Sequence, residues 1–378
     1  MSDEAPAPRA LAGSDASGSS GDIADDALTL GVEEEYQLID PATRNLRASG
    51  GGVLAAARPA LAEAVQPELR LSQIEIATPV CRTLAEVRRE LLRLRGAVIA
   101  AAAQEGSRIV AAGTHPFAAA PAQPLTPKAR YRGIARAYRQ LADELVIFGC
   151  HVHVGVADPE LAIQVLNRAR LWLSPLLALA ANSPFWGGAD TGYASYRTEL
   201  WGRWPLAGPP QPFASRAEYD ALVGALVASG TIAEETQVYW DVRPSARFPT
   251  LEFRATDVCA TVDEAVMVAG LTRALVRTCV VAAAQDAPVP AARPELLRAA
   301  HWRAARDGLE GELIDAATGR AVPATELVEA LLAFVRPALE ALGDWEEVAA
   351  LVRATVAGGT GAARQRTAYA RAGRWEDV

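Results

Sequence analysis

The sequence predicts an α+β fold, a mainly antiparallel sheet with helices on one face, followed by a helical C-terminal layer. Three observations carry that expectation. Segments of period two alternate with helical segments from Leu28 onward. Each strand sorts its side chains by parity into an apolar and a polar set, as a sheet with one buried face requires. Beyond Pro290 the chain reads as helix only, broken at Gly308, Gly311, Gly343 and 358–361. With 378 residues it can bury a large core as one big domain or two closely joined ones, and residues 27–378 are read as a single α+β domain whose helical part starts near 290.

In chain order, strands are expected over 28–38, 69–76, 108–113, 146–156, 237–243 and 249–256. Helices are expected over 84–103, 128–144, 159–181, 216–228 and 262–284, and in the C-terminal layer over 293–306, 324–342, 345–357 and 361–371. Three helix starts carry the capping-box pattern, a hydroxyl three residues before a glutamate: Thr83 with Glu86, Ser215 with Glu218, and Thr261 with Glu264.

Composition excludes several classes of function. Hydrophobic residues make up 51% of the chain, yet the longest apolar run, near 98–103, is far short of the roughly 20 residues a membrane span needs; a membrane protein is not expected. The formal charge is −8, but Asp3, Glu4, Asp15, Asp22, Asp25 and Asp26 against Arg9 place most of it in residues 1–26, leaving −3 for the remainder. That balance, with no basic stripe, gives no field for a nucleic-acid backbone, so nucleic acid is not an expected partner. The Ala, Pro, Gly, Ser and Asp content of 1–26 cannot offset ordering entropy, and the segment is expected to be a disordered acidic tail. It lacks the basic start and apolar stretch of a secretory signal. Cys81, Cys150, Cys259 and Cys279 are scattered among apolar neighbours without a CxxC pair, which fits a reducing cytoplasm.

The polar side of the strands is the informative one. Thr29, Gly31, Glu33, Glu35 and Gln37 share one face of the first strand, against Leu28, Leu30, Val32, Tyr36 and Leu38. Gln73 and Glu75 oppose Ile74 and Ile76, and His151 and His153 oppose Cys150, Val152 and Val154. Gln237, Tyr239, Asp241 and Arg243 oppose Val238, Trp240 and Val242, while Thr250, Glu252, Arg254 and Thr256 oppose Leu251 and Phe253. Glu34 falls on the apolar side, where a bulge or a sheet edge would relieve it. A merely solvated face would mix in lysine, whereas this one repeats Glu, His, Arg, Gln and Asp; it reads as the floor of a polar cleft.

Glu33, Glu35, Glu75 and Glu252 would repel one another in one cleft. Hard divalent cations with oxygen ligands, Mg²⁺ above all, would relieve that, and His151 or His153 could add an imidazole. Arg254 shares a face with Glu252 and can either pair with a carboxylate or hold a phosphoryl group through bidentate hydrogen bonds. Carboxylates, cations and arginines without an evident nucleophile suit phosphoryl transfer, which needs positioning and charge neutralisation. A zinc hydrolase would use the same groups without a nucleotide. No GxxxxGK[ST] loop or GxGxxG turn is present, so neither a P-loop nor a Rossmann nucleotide site is supported. The Gly358 to Gly361 turn, with Arg364 and Arg366 beyond it, reads as a helix cap or as part of a phosphate site. Cleft and core readings stay open for His115 and for the Trp201-Gly202-Arg203-Trp204-Pro205 run; His301 reads as a surface helix residue.

These motifs, in order, carry a resemblance. Gly31-Val32-Glu33-Glu34-Glu35-Tyr36, Gln73-Ile74-Glu75-Ile76-Ala77-Thr78-Pro79, Gly113-Thr114-His115-Pro116, Gly149-Cys150-His151-Val152-His153-Val154-Gly155, Ser195-Tyr196-Arg197, Trp240-Asp241-Val242-Arg243-Pro244 and Leu251-Glu252-Phe253-Arg254 are similar to motifs of the type 2 glutamate-cysteine ligases, and within them of the bacterial carboxylate-amine ligase branch. The match runs from Leu28 to the Arg364-Gln365-Arg366 segment. The resemblance implies a glutamine synthetase-like fold with a curved, mainly antiparallel sheet whose concave face holds ATP, divalent cations and an amino acid. It implies a reaction in which ATP phosphorylates a carboxylate, typically the γ-carboxylate of glutamate, and an amine, cysteine or a relative of it, displaces the phosphate. A different acid and amine pair is the alternative. By position, Glu33, Glu35, Glu75, His151 and Glu252 would be the metal ligands, for Mg²⁺ or alternatively Mn²⁺. Arg254, Glu252 and Arg197 would act in catalysis, and Arg254, Arg364 and Arg366 would contact the nucleotide. The base for the amine is left open among Asp241, Glu199 and a cation-bound water. A homodimer is implied as well.

Overall fold

The computed structural model describes residues 28–118 and 123–378, so the tail expected at 1–26 lies outside the described residues. The strands are β1 (Leu30–Ile39), β2 (Val65–Pro67), β3 (Gln73–Ala77), β4 (Arg108–Val110), β5 (Gly149–Gly155), β6 (Phe185–Trp186), β7 (Ala189–Asp190), β8 (Val242–Pro244), β9 (Thr250–Asp257), β10 (Glu312–Asp315) and β11 (Arg320–Pro323). The helices are α1 (Gly50–Leu61), α2 (Leu84–Gln104), α3 (Ala129–Tyr138), α4 (Gln140–Asp143), α5 (Pro159–Ala169), α6 (Leu173–Leu179), α7 (Tyr196–Trp201), α8 (Arg216–Ala228), α9 (Val262–Ala284), α10 (Pro294–Asp307), α11 (Ala324–Leu342), α12 (Trp345–Gly358) and α13 (Gly361–Ala372).

The main sheet runs β2–β3–β1–β5–β9–β8, with β4 also on β1, and every pairing is antiparallel. The apolar parity set of β1, with Cys150, Val152 and Val154 of β5, is buried against the helices. At the centre lies α9, packed on α2, α5, α11, α12 and β5. By length and hydropathy α9 could cross a membrane, but 78% of its most apolar window is buried inside the protein, as befits the central helix of a core. Its first turn is closed by a complete capping box between Thr261 and Glu264. At α2 and α8 only half of that pattern forms: Thr83 and Ser215 accept the N–H groups of Glu86 and Glu218, while those glutamates reach one residue further back, to the N–H groups of Arg82 and Ala214.

Several elements differ from the sequence expectation. The helix expected over 128–144 is split into α3 and α4 by Arg139, whose φ is +52°, and that over 159–181 is interrupted by a 3₁₀ turn at Arg170–Trp172. Of the strand expected over 237–243, only Val242 and Arg243 join the main sheet, as the start of β8; Trp240 makes an isolated bridge to Gly208, and a 3₁₀ turn at Glu235–Gln237 precedes it. Helix α1 is absent from the expected elements and forms despite the low helix propensity of Gly50-Gly51-Gly52 and Pro59; Gly50 is needed there, since a Cβ would come within 2.7 Å of the Leu71 carbonyl oxygen. The C-terminal region is not helix only. It contains the hairpin β10–β11, whose turn is tied by Asp315, accepting from the Ala317 N–H at 2.9 Å and the Thr318 hydroxyl at 2.6 Å, with Gly319 at φ +71°.

Glu34 needs neither a bulge nor an edge. Strand β1 is interior to the sheet and its register with β3 is unbroken. The Glu34 carboxylate is wholly buried, and Arg95 of α2 donates to both of its oxygens while the Tyr36 hydroxyl donates to one. Arg95 also donates to the carbonyls of Cys259 and Ala260 at 3.0 and 3.2 Å. A buried carboxylate is tolerable when it is ion-paired and hydrogen-bonded in this way, and the cluster ties α2 to the turn that leads into α9.

Candidate active site

The face opposite the helices gathers the polar parity sets. Register brings Glu35 opposite Glu75, Glu33 opposite His151, and Glu252 between His153 on one side and Arg243 on the other. Directly opposed side chains in antiparallel strands stand within about 5.5 Å at Cβ, so these groups form one continuous row. They line a cleft of about 360 Å³.

Within it, two sets of three groups offer ligand atoms that all lie within 4.8 Å of one another: Glu33, His153 and Glu252, and Glu35, Glu68 and Glu75. Four of the five expected metal ligands, Glu33, Glu35, Glu75 and Glu252, belong to these sets. His151 does not. Its Nδ1 is 3.2 Å from Glu33, whereas His153 presents Nε2 at 3.3 Å from the other Glu33 oxygen and steadies Nδ1 on the Thr250 hydroxyl at 3.0 Å. Parity puts both histidines on this face, but the β5–β9 register breaks between Cys150 and Val152, at His151, whereas His153 pairs directly with Glu252. Glu68 was missed because it lies in the loop after β2, outside any alternating run. The β2–β3 pairing of Gln66 with Glu75 carries that loop beside the second set.

The charges are unbalanced. Burial, and then the carboxylates of Glu33, Glu68 and Glu35, push the Glu75 carboxyl well above its ordinary range. Burial and Glu68 push Glu35 up to about 7, although it accepts the Gly149 N–H at 2.6 Å. Burial also works to raise Glu33, but the hydrogen bonds from His151 and His153 outweigh it and hold this carboxyl well below the usual range. At Glu252 burial is overcome by Arg254 and then Arg243, which keep it ionised. Burial and the nearby Arg254 push His151 down to about 4, and its Nε2 is buried without a hydrogen-bond partner, while Nε2 of His153 faces only the Glu33 oxygen at 3.3 Å. Imidazole nitrogens turned toward mutually repelling carboxylates fit divalent cations.

The arginines stand around this floor. Arg243 grips Glu252 at 2.9 and 3.2 Å, and Arg254 pairs with the same carboxylate, leaving its own buried Nε unpartnered. Arg197, on α7, is almost fully buried; one Nη reaches the Arg254 carbonyl oxygen at 3.4 Å and its Nε is free. Beneath it lies Asp257, which sequence reasoning missed. Strand β9 carries one extra residue at 254–255, because Cys150 pairs with Thr256 but Val152 with Phe253. The bulge reverses parity, so Thr256 lies on the Cys150 side, contrary to the sequence reading, and Asp257 comes opposite Gly149. Asp257 accepts from the Asn182 N–H and the Ser183 hydroxyl at 2.7 Å and the Ser195 hydroxyl at 2.8 Å, with an Arg197 Nη at 3.9 Å.

Trp201, Trp204 and Tyr239 wall one side of the cleft, the two indoles stacked at 5.3 Å with their N–H groups buried and unpartnered; the 201–205 run is thus a cleft wall. Lys128, the only lysine in the chain, stands exposed at the rim with its Nζ 5.8 Å from the Tyr131 ring. Other expected groups lie elsewhere. Arg364 pairs with Glu264 and the Gly359 carbonyl, and Arg366 with Asp190 and the Tyr193 carbonyl, so neither lines the cleft. His115 is a core residue that caps the turn at 115–118. His301 is buried, not a surface residue, with Nε2 at 3.2 Å from the Asp241 carboxylate. Asp241 and Glu199 do not line the cleft either.

The fold is shared with the crystal structure of a glutamate-cysteine ligase from Francisella tularensis in complex with AMP, at a TM-score of 0.70 and 13% identity over 93% of this chain and 86% of that one. It is also shared with a bifunctional glutathione synthetase from Pasteurella multocida, at 0.65 and 16% over 93% of this chain and 51% of that one. Fold, site and sequence relatives together define a ligase that joins a carboxylate to an amine. The chain belongs to Glutamate-cysteine ligase family 2, whose model matches residues 29–378. It is 45% identical over 349 residues to "Putative glutamate-cysteine ligase 2" of Rhodopirellula baltica, covering 89% of this chain and 92% of that one. A relative of the same name numbered 2-2 from Frankia alni is 45% identical over 93% of this chain and 94% of its own length.

Proposed function

We propose that the chain uses ATP and Mg²⁺, or Mn²⁺, to join the γ-carboxylate of glutamate to the amino group of cysteine or a closely related amine. The observation that carries this reading is the crowding of half-buried and buried carboxylates in two sets, with the Nε atoms of Arg254 and Arg197 unpartnered beside them. Glu33, His153 and Glu252 would hold one cation, and Glu35, Glu68 and Glu75 another; bound there, the ions would neutralise the phosphates. In the proposed reaction the γ-phosphoryl group passes to a carboxylate oxygen, giving ADP and an acyl phosphate. The amine then attacks the acyl carbon, phosphate leaves with the C–O bond electrons, and the amine loses its proton. Arg254 and Arg197 would stabilise charge spreading over the phosphoryl oxygens and hold the acid, and the Trp201–Trp204 wall would exclude water from the anhydride.

Residues 28–378 would act as a single catalytic unit. A homodimer in a reducing cytoplasm belongs to the same reading, supported on the compartment side by four unpaired buried cysteines. The test is ADP release from ATP and Mg²⁺ with L-glutamate across a panel of amines including cysteine, with the amide identified by mass. γ-Glutamylcysteine as the product bears the proposal out. Turnover with another amine replaces the substrate, and no ADP release with any pairing rejects glutamate as the acid.

A further inference from the structure

A second cavity lies on the helical side of the molecule, between α5, the C-terminal end of α9, α11 and the β10–β11 hairpin. It measures about 350 Å³ and shares no lining residue with the cleft. Trp172, Cys279, Ala316, Leu327 and Phe334 give it an apolar wall, with Trp172 and Phe334 stacked at 4.8 Å. Burial raises the Cys279 thiol to about 12, so it presents a neutral, apolar surface.

One lining group breaks this pattern. Arg168 is 8% exposed, and no carboxylate among the described residues lies within ion-pair distance of it. Its Nη atoms donate to the Gln164 and Ala287 carbonyls at 3.0 and 2.6 Å and to the Gln164 side chain at 3.0 Å, and its Nε is buried without a partner. The acid at the rim, Asp315, is occupied by the hairpin turn. Carbonyls solvate a guanidinium but do not neutralise it, and a buried cation lacking its anion is costly.

We propose that this cavity binds a small amphipathic carboxylate, its carboxylate on Arg168 and its apolar, preferably aromatic, body against Trp172 and Phe334. The volume lies in the range of small-ligand sites, about 300–1,000 Å³, and the composition, an apolar wall with one charged group fixing orientation, is that of such a site. Glutamate and cysteine are too polar for this wall, so the ligand is a different molecule from the substrates of the cleft.

The test is calorimetric titration of the full chain with 3-phenylpropionate and with its neutral isostere 3-phenylpropanamide. Saturable one-to-one binding of the acid is expected, with the amide at least about tenfold weaker for want of the charge-assisted pair. Arg168→Gln should bring the acid down to the level of the amide. Ala330→Trp, at an exposed position on the rim, should close the cavity and abolish binding of both while circular dichroism stays unchanged; it carries the test should Arg168→Gln fail to fold. Absence of saturable binding, equal affinity for acid and amide, or full binding by Ala330→Trp would each overturn the proposal. So would dissociation of a dimer by Ala330→Trp, which would make the cavity a contact between copies.

Discussion

A Cβ at Gly149 would collide with the Arg197 guanidinium and stand 3.0 Å from Nε2 of His151. Gly149→Ala must therefore displace Arg197 while leaving the strand and its N–H bond to Glu35 intact. Since a misplacement of about 1 Å can cost about 100-fold in rate, turnover should fall by that order in a protein that still folds; wild-type turnover would show that Arg197 does not act in the cleft. For Arg254→Ala a loss of about 10³-fold in kcat is expected, with KM for ATP less affected. Glu252→Gln should abolish turnover in a folded protein, and an active variant would remove Glu252 from the cation site. His115 bears on stability. Its Nδ1 accepts the Ala118 N–H at 2.9 Å and its Nε2 faces the Arg44 carbonyl at 2.8 Å, the pattern of a neutral ring, and burial pushes it down to about 4. The unfolded chain takes up this proton first, near pH 6.5, so the contribution of His115 is fully present above about pH 6.5 and is lost as pH falls toward 4, with a slope of up to about 1.4 kcal/mol per unit. Urea unfolding of His115→Gln should lack that part of the slope; matching slopes in variant and wild type would refute it.

Among the elements, α13 reaches the cleft without lining it. Gln365 donates to the Asn182 carbonyl and side chain at 3.0 and 2.7 Å, and Asn182 donates its N–H to Asp257, which lies under Arg197. Gly361 sits so close to Asn182 that a Cβ would overlap its side chain. Gly361→Ala should consequently lower stability by about 1–3 kcal/mol, as overpacking does, and reduce turnover by loosening Arg197; an unchanged denaturation midpoint would break this link. The same elements mark what the sequence could reveal. Parity placed Glu33, Glu35, Glu75 and Glu252 on one face because strand alternation is local. The bulge at 254–255 is set by pairing with β5, so Asp257 stayed hidden. The partner of Glu34 is 61 residues away on α2, and no local pattern could supply it. The resemblance implies Arg364 and Arg366 at the nucleotide, whereas Glu264 and Asp190, distant in sequence, hold them outside the cleft.

For the molecule as a whole, the sheet concentrates acidic groups on one face and the helices cover the other. The repulsion among Glu33, Glu35, Glu68 and Glu75 destabilises the metal-free fold, and a cation bound only by the folded state stabilises it by mass action, about 2.7 kcal/mol at 100 times Kd. Millimolar Mg²⁺ should thus raise the melting temperature by a few degrees, and Glu75→Gln should abolish most of that rise; an equal rise in the variant would place the cation elsewhere. The C-terminal layer, legible as helices, closes the molecule over α9 and forms the second cavity through the one hairpin that its helical periodicity concealed. The lone lysine has a different use. Because every other basic side chain except histidine is a guanidinium, which amine-reactive dyes ignore, a single fluorophore can be attached at the mouth of the cleft at Lys128, apart from the chain's terminal amine. Trp201 and Trp204 lie in the same cleft as energy-transfer donors, so the native sequence already carries an optical gauge of cleft opening and occupancy.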